Sequence, residues 1–303
     1  MKEKIILIIF IFTTLFFYTC KSVEDMLIFP AWDTIVEGDY DFVGTRLESV
    51  PIGEKNYQQI TKNSITLNTL WIDKKPSAGD PYPGKVVLFC DGNRNNLYSS
   101  LKTGVTMRNM GLDYFCFEYR GYGLSFGSIQ PTEASLYADA RAAITYLIDD
   151  KEYDISDIII VGYSLGTAVA TNTAYEYTDK TEPIDKNDRP NLLVLFAPIA
   201  NAQILSREMS AGYNIPSTWY TAAKVDNLAK IKSINSPICI FHGTRDFVVP
   251  YRNSEYLVPA IRTEVPNLFY TGHGDGHGFL RATTWWESYF ENFVASYKDF
   301  THP

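Results

Sequence analysis

Five runs of this chain are apolar with no polar interruption: Val86-Val87-Leu88-Phe89-Cys90, Tyr114-Phe115-Cys116-Phe117, Ile158-Ile159-Ile160-Val161, Leu192-Leu193-Val194-Leu195-Phe196 and Ile238-Cys239-Ile240-Phe241. A strand with one face in water alternates apolar and polar residues. A strand that never alternates is buried on both faces, which happens in a mostly parallel sheet covered by helices. The gaps between the runs carry helical patterns: Thr132 to Ile148 has apolar residues at helical spacing, and Leu165 to Tyr177 is rich in small residues. Near the C-terminus Trp286, Phe290, Phe293, Tyr297 and Phe300 recur at intervals of four, three, four and three, one face of a helix and therefore core. Strand–helix alternation of this kind predicts an α/β fold with a doubly wound sheet and helices on both faces. Asn267 to Thr271 is a weaker last strand, and Phe42 to Val50 and Ile65 to Ile72 are β-rich stretches ahead of a turn-rich loop, Lys74 to Gly84.

The organisation expected is one folded domain over residues 40–303, behind a leader over 1–19 and a linker over 20–39. The apolar run Ile5 to Tyr18 follows a short charged opening, Met1-Lys2-Glu3-Lys4. It is short for a membrane span and suits a signal-peptide core. Leu15 to Cys20 resembles a loose bacterial lipobox, although Phe17 and Tyr18 are larger than the residues such a site carries. The expectation is an exported lipoprotein held at a membrane through Cys20; the alternative is an uncleaved N-terminal anchor.

Composition excludes one class of partner. A net charge of −8, with no basic cluster, leaves nothing to neutralise phosphates, so no nucleic-acid partner is expected. Cys90, Cys116 and Cys239 lie within or at the end of apolar runs, at spacings that make neither a metal site nor a disulfide framework, and are expected to be buried free thiols.

The chemistry concentrates in a few places. Gly162-Tyr163-Ser164-Leu165-Gly166 directly follows one apolar strand and directly precedes a helical run. A sharp strand-to-helix turn of this kind projects a serine oxygen from the carboxyl end of the sheet, beside helix amides that can receive an oxyanion. Such a serine needs a base, and the base an orienting acid, expected in the chain order Ser, Asp, His. Asp246 follows the strand Ile238 to Phe241. Of four histidines, His302 is next to the terminus and His242 precedes the acid, leaving His273 and His277 in a glycine-rich loop. The loop after Val86 to Cys90 contains Asp91-Gly92-Asn93; the Asn93 amide would form an oxyanion hole with that of Leu165. Taken singly, each is what an ordinary turn also carries; their order and placement after the right strands make the case.

These residues resemble the α/β-hydrolase superfamily, and within it the lid-poor branch of depalmitoylase-like and serine-aminopeptidase-like members. The carriers are Asp91-Gly92-Asn93, Glu118-Tyr119-Arg120-Gly121-Tyr122-Gly123-Leu124-Ser125, the Ser164 elbow, His242-Gly243-Thr244-Arg245-Asp246 with Val249-Pro250, and Gly276-His277, across Val86 to Phe293. The resemblance implies the α/β-hydrolase fold with little or no lid, consistent with only about forty residues between Phe196 and Ile238. It also implies His277 as the base, since Gly274-Asp275-Gly276-His277 falls on the family's glycine-x-glycine-histidine turn. One departure stands out. The family carries histidine where this chain has Asp91, and because the oxyanion donors are backbone amides Asp91 is expected to be tolerated.

The expected activity is therefore that of a serine hydrolase acting on a small-molecule or lipid-linked acyl ester or thioester through an acyl-enzyme, with Ser164, Asp246 and His277 catalytic and Asn93 and Leu165 at the oxyanion. Nothing in the sequence requires a metal or organic cofactor. A peptidase or aminoacyl-amide hydrolase on the same triad, and a non-catalytic binding protein on a degenerate hydrolase fold, are the alternatives.

Overall fold

A computed structural model of the protein describes residues 56–299, apart from residues 63, 76–78, 94, 126–130, 179–188 and 210–223. The strand expected over Phe42 to Val50, the leader and Cys20 lie outside the described residues.

The chain opens with β1 (Asn56–Lys62), β2 (Ile65–Ile72) and β3 (Val86–Cys90), then α1 (Leu97–Asn109), β4 (Asp113–Phe117), α2 (Glu133–Asp149), β5 (Ile158–Tyr163) and α3 (Gly166–Glu176). It continues through β6 (Leu192–Phe196), α4 (Ala202–Met209), α5 (Asn227–Lys230), β7 (Ile238–Gly243), α6 (Arg252–Leu257), β8 (Asn267–Gly272), α7 (Phe279–Ala282) and α8 (Trp285–Tyr297). The eight strands form one sheet in the order β1-β2-β4-β3-β5-β6-β7-β8. β1 and β2 are an antiparallel hairpin turning at Ser64, and β2 pairs antiparallel with β4; every later pairing is parallel.

The five apolar runs are strands buried on both sides. Side chains of a strand point alternately to its two faces. Val86, Leu88, Ile158, Ile160, Leu193, Leu195, Ile238 and Ile240 therefore join one core with α2, α3 and α6. Val87, Phe89, Ile159, Val161, Val194, Phe196 and Phe241 join the other with α1 and α8. Three residues of the C-terminal stripe are core as expected, and Tyr297 is half-buried against them. Trp286, Phe290 and Phe293 are buried against the sheet, where Trp286 meets Phe196 edge-on at 5.1 Å; Phe300 lies outside the described residues. Replacing such an aromatic by alanine costs about 3–5 kcal/mol.

Several elements were not foreseen, β1 and α1 among them. β1 is a polar edge strand with no apolar run to announce it. α1 carries Thr103, Gly104 and Thr106, poor helix formers, and is held by a capping box instead. The Asn96 side chain accepts from the Ser99 amide at 2.9 Å, and the Ser99 hydroxyl accepts from the Asn96 amide at 3.0 Å. Gly104 is needed there because a Cβ would lie 2.6 Å from Ile72. Between Phe196 and Ile238 the described residues contain only the short helices α4 and α5 and a 3-10 turn.

Cys90, Cys116 and Cys239 are buried and unpaired. Among the described residues no helix is long and apolar enough to cross a membrane.

The register aligns the carboxyl ends of the central strands: Cys90 stands opposite Gly162, Tyr163 opposite Phe196, Phe196 opposite Phe241, and Gly243 opposite Gly272. The turns that follow β3, β5, β7 and β8 consequently leave the sheet at one edge.

Candidate active site

Ser164 occupies the turn between β5 and α3 with φ 54, a left-handed conformation that is strained for a residue with a side chain. The surroundings hold it there. Its amide donates to the Phe196 carbonyl at 2.9 Å, and its carbonyl accepts from the Thr167 amide at 2.9 Å and the Thr167 hydroxyl at 2.6 Å. The flanking glycines answer to packing. A Cβ on Gly162 would be 2.7 Å from Ala170 and from Thr167, and one on Gly166 would run into the Cys90 and Asp91 carbonyls. Only glycine lets the turn close this tightly on β3 and α3.

His277 comes to the serine from the loop after β8. Its Nε2 is 2.9 Å from Ser164 Oγ and its Nδ1 is 2.7 Å from Asp246 Oδ2. Because a carboxylate only accepts, Nδ1 carries the proton and Nε2 is left to accept the serine hydroxyl. His273 is exposed, at the outer side of the same loop. The loops after β7 and β8 are zipped together: the Thr244 amide donates to the Gly272 carbonyl, the Arg245 amide to the Asp275 carbonyl at 2.8 Å, and the Gly274 amide to the Thr244 hydroxyl at 2.9 Å.

Asp246 is buried, and its Oδ1 accepts from the Val248 and Val249 amides at 2.9 and 2.8 Å. Burial alone would raise its carboxyl. Hydrogen bonds from His242 and His277, the charge of His277 and the Val249 amide outweigh burial and bring it down to about 2. The group is thus an anion throughout the neutral range, as an imidazole-orienting acid must be.

The turn after β3 lies against the elbow. A Cβ on Gly92 would be 3.2 Å from Tyr163 and 3.3 Å from the Ser164 Cβ, so no side chain fits between the turn and Ser164. Asn93 is at the tip of that turn, its side-chain oxygen accepting from Tyr122 at 2.9 Å, and Leu165 opens α3 next to Ser164. Tyr119 donates to the Asp91 carbonyl at 2.9 Å. All five residues selected from the sequence thus come to one edge of the sheet. Among the described residues no cluster of three His, Cys, Asp or Glu side chains could hold a metal ion.

The sequence reading gave no role to four side chains at the site. Tyr163 stacks on the His277 ring at 5.2 Å and donates to the His277 carbonyl at 3.0 Å. His242 is fully buried behind Asp246, with Nε2 2.9 Å from the Val249 carbonyl and 3.4 Å from Asp246 Oδ2, and Nδ1 2.6 Å from the Ser254 hydroxyl. Nε2 must donate, since the carbonyl can only accept. Arg281 pairs with Asp91 at 2.5 Å. Ser100 also donates to that carboxylate, its hydroxyl 2.5 Å from Oδ2. Tyr163 stands at the variable position of the elbow and Arg281 one helical turn past His277, where local pattern assigns no role.

Comparison with known proteins bears on the fold. The family described as alpha/beta hydrolase fold matches residues 85–186, from β3 through the elbow and α3. An uncharacterised protein of Mycobacterium tuberculosis is 31% identical over 195 residues, which are 64% of this chain and 63% of that protein. The human alpha/beta hydrolase domain-containing protein 17B is 30% identical over 192 residues, 62% of this chain and 59% of that protein. The chain thus matches less than two thirds of the length of either relative. A solved esterase of Pyrococcus furiosus superposes with a TM-score of 0.62 at 17% identity, covering 83% of this chain and 93% of the esterase. At that identity the likeness is one of fold.

Proposed function

The chain belongs to the α/β-hydrolase superfamily, and from that premise we propose that it is a serine hydrolase cleaving acyl esters or thioesters through an acyl-enzyme. One observation carries the proposal: the unbroken relay from Ser164 Oγ to His277 Nε2 at 2.9 Å and from His277 Nδ1 to Asp246 Oδ2 at 2.7 Å. The steps follow from the atoms. Ser164 Oγ attacks the acyl carbon as its proton passes to His277 Nε2, and the amides of Leu165 and Asn93 receive the oxyanion. Collapse expels the alcohol or thiol, which takes the proton back from His277. Water then attacks the acyl-serine with His277 as base, and the acid leaves. Asp246 keeps the imidazole in the required tautomer and remains ionised throughout. Each oxyanion donor contributes about 10²–10³ in kcat.

The experiment is a panel of ester, thioester and aminoacyl-amide substrates on the purified protein, run beside Ser164→Ala. Ester or thioester turnover is expected, with kcat down about 10⁴-fold or more in the variant while its unfolding curve is retained. Turnover of the amide alone would move the reading to a peptidase. Absence of both turnover and fluorophosphonate labelling would leave a binding protein. We propose further that the chain is exported and held at a membrane by a lipid on Cys20, an uncleaved anchor being the alternative.

A further inference from the structure

We infer that Arg281 is a positioning residue of the oxyanion site, neutralising Asp91 and locking the turn it belongs to; this rests on the serine-hydrolase reading. Asp91 is the place where the chain departs from the family it resembles, and the structure ties its carboxylate on every side. Oδ1 accepts from the Gly92 amide at 2.7 Å, from the Asn95 side chain at 2.8 Å and from Arg281 at 2.5 Å. Oδ2 accepts from the Ser100 hydroxyl at 2.5 Å, with the Ser99 hydroxyl further away at 3.5 Å. The bond from the Gly92 amide to its neighbour's own side chain fixes the peptide that leads into Asn93, the proposed oxyanion donor.

The charge matters as much as the bond. Asp91 is 4% exposed, so an unpaired carboxylate here would act on the developing oxyanion through a medium of low polarisability. Arg281 removes that opposition. It approaches from α7, just past the loop that carries His277, and its guanidinium lies over the Tyr163 ring at 4.9 Å, the same ring on which His277 stacks. The Lys102 ammonium donates to the Arg281 carbonyl and fastens α7 to α1. One ion pair thereby joins the oxyanion turn to the element that presents the base.

The two partners are unequal, and that separates this role from a merely structural one. Arg281→Gln leaves a buried carboxylate without its counter-charge in the turn that leads to the Asn93 amide. Asp91→Asn keeps an acceptor for the Gly92 amide, and its new amide can donate to Ser100, whose hydroxyl turns to Asn96 O, now 3.1 Å away. The charge left over in that variant is positive.

The test is a double-mutant cycle read by kcat and KM on an ester and by the rate of fluorophosphonate labelling, which draws on the same oxyanion hole. Arg281→Gln is expected to lower kcat and the labelling rate about ten- to a hundredfold with KM within about threefold. Asp91→Asn should stay within about tenfold, and the Asp91→Asn/Arg281→Gln double variant should recover most of the loss. Arg281→Lys, which keeps the charge and perturbs packing least, should hold kcat within about threefold even if the glutamine variant unfolds. A folded Arg281→Gln with unchanged kcat, a double variant no faster than Arg281→Gln, or a folded Arg281→Lys that loses kcat would each overturn the inference while leaving the hydrolase reading intact. A wild-type protein that neither turns over ester nor labels would overturn both.

Discussion

At the scale of single residues, the site is decided by which side chain can reach which atom. His273 and His277 are separated by three residues in one glycine-rich loop, yet only His277 bonds both Ser164 and Asp246. The Tyr163 hydroxyl bond to the His277 carbonyl settles the loop's depth, and ring stacking settles the plane of the imidazole. His277→Ala should therefore lose about 10⁴-fold in kcat at saturating ester, on the scale of the Ser164 variant. His273→Ala should keep activity within about twofold, because its side chain stands in solvent. The opposite pattern would transfer the base to His273.

At the scale of elements, the elbow works because α3 starts almost in contact with the end of β3. Gly166→Ala would drive a methyl group into the Cys90 and Asp91 carbonyls, backbone atoms that no rotamer change can move aside. It should destabilise the protein by at least about 2 kcal/mol in urea unfolding and displace the oxyanion turn with it. Gly276→Ala is the control. Its Cβ would come no nearer than 3.6 Å to another residue, so stability should change little. An equal loss in both variants would show that the crowding at Gly166 relaxes cheaply. The first glycine of the motif answers to the same constraint, since a Cβ on Gly162 would meet Thr167 and Ala170 of α3.

At the scale of the whole molecule, strand register carries the site. With Cys90 opposite Gly162 and Gly243 opposite Gly272, four loops distant in sequence open onto one edge of the sheet. The proposed lipid on Cys20 is tested on the whole protein. Mass spectrometry of the membrane fraction should find a mature N-terminus at Cys20 carrying acyl chains. An intact Met1 would establish the uncleaved anchor in its place.

The sequence by itself determined what depends on short-range pattern. Uninterrupted apolar runs identify the buried strands, because burial on both faces leaves no polar position to alternate with. The proposed nucleophile is legible because glycine on both sides of a serine, between strand and helix, answers to a local steric demand. The order of acid and base along the chain follows from the connectivity of such a sheet. What depends on register and on packing between distant segments was not written locally. α1 has too few strong helix formers to announce itself and is held by its cap and its contact with the sheet. Asp91 looked like an exception to be tolerated; only when α7 is folded against α1, beside the turn that follows β3, does Arg281 arrive to neutralise it. The role of Tyr163 is of the same kind. Its position in the motif admits many residues, and the tertiary structure alone lays its ring on His277 and beneath Arg281.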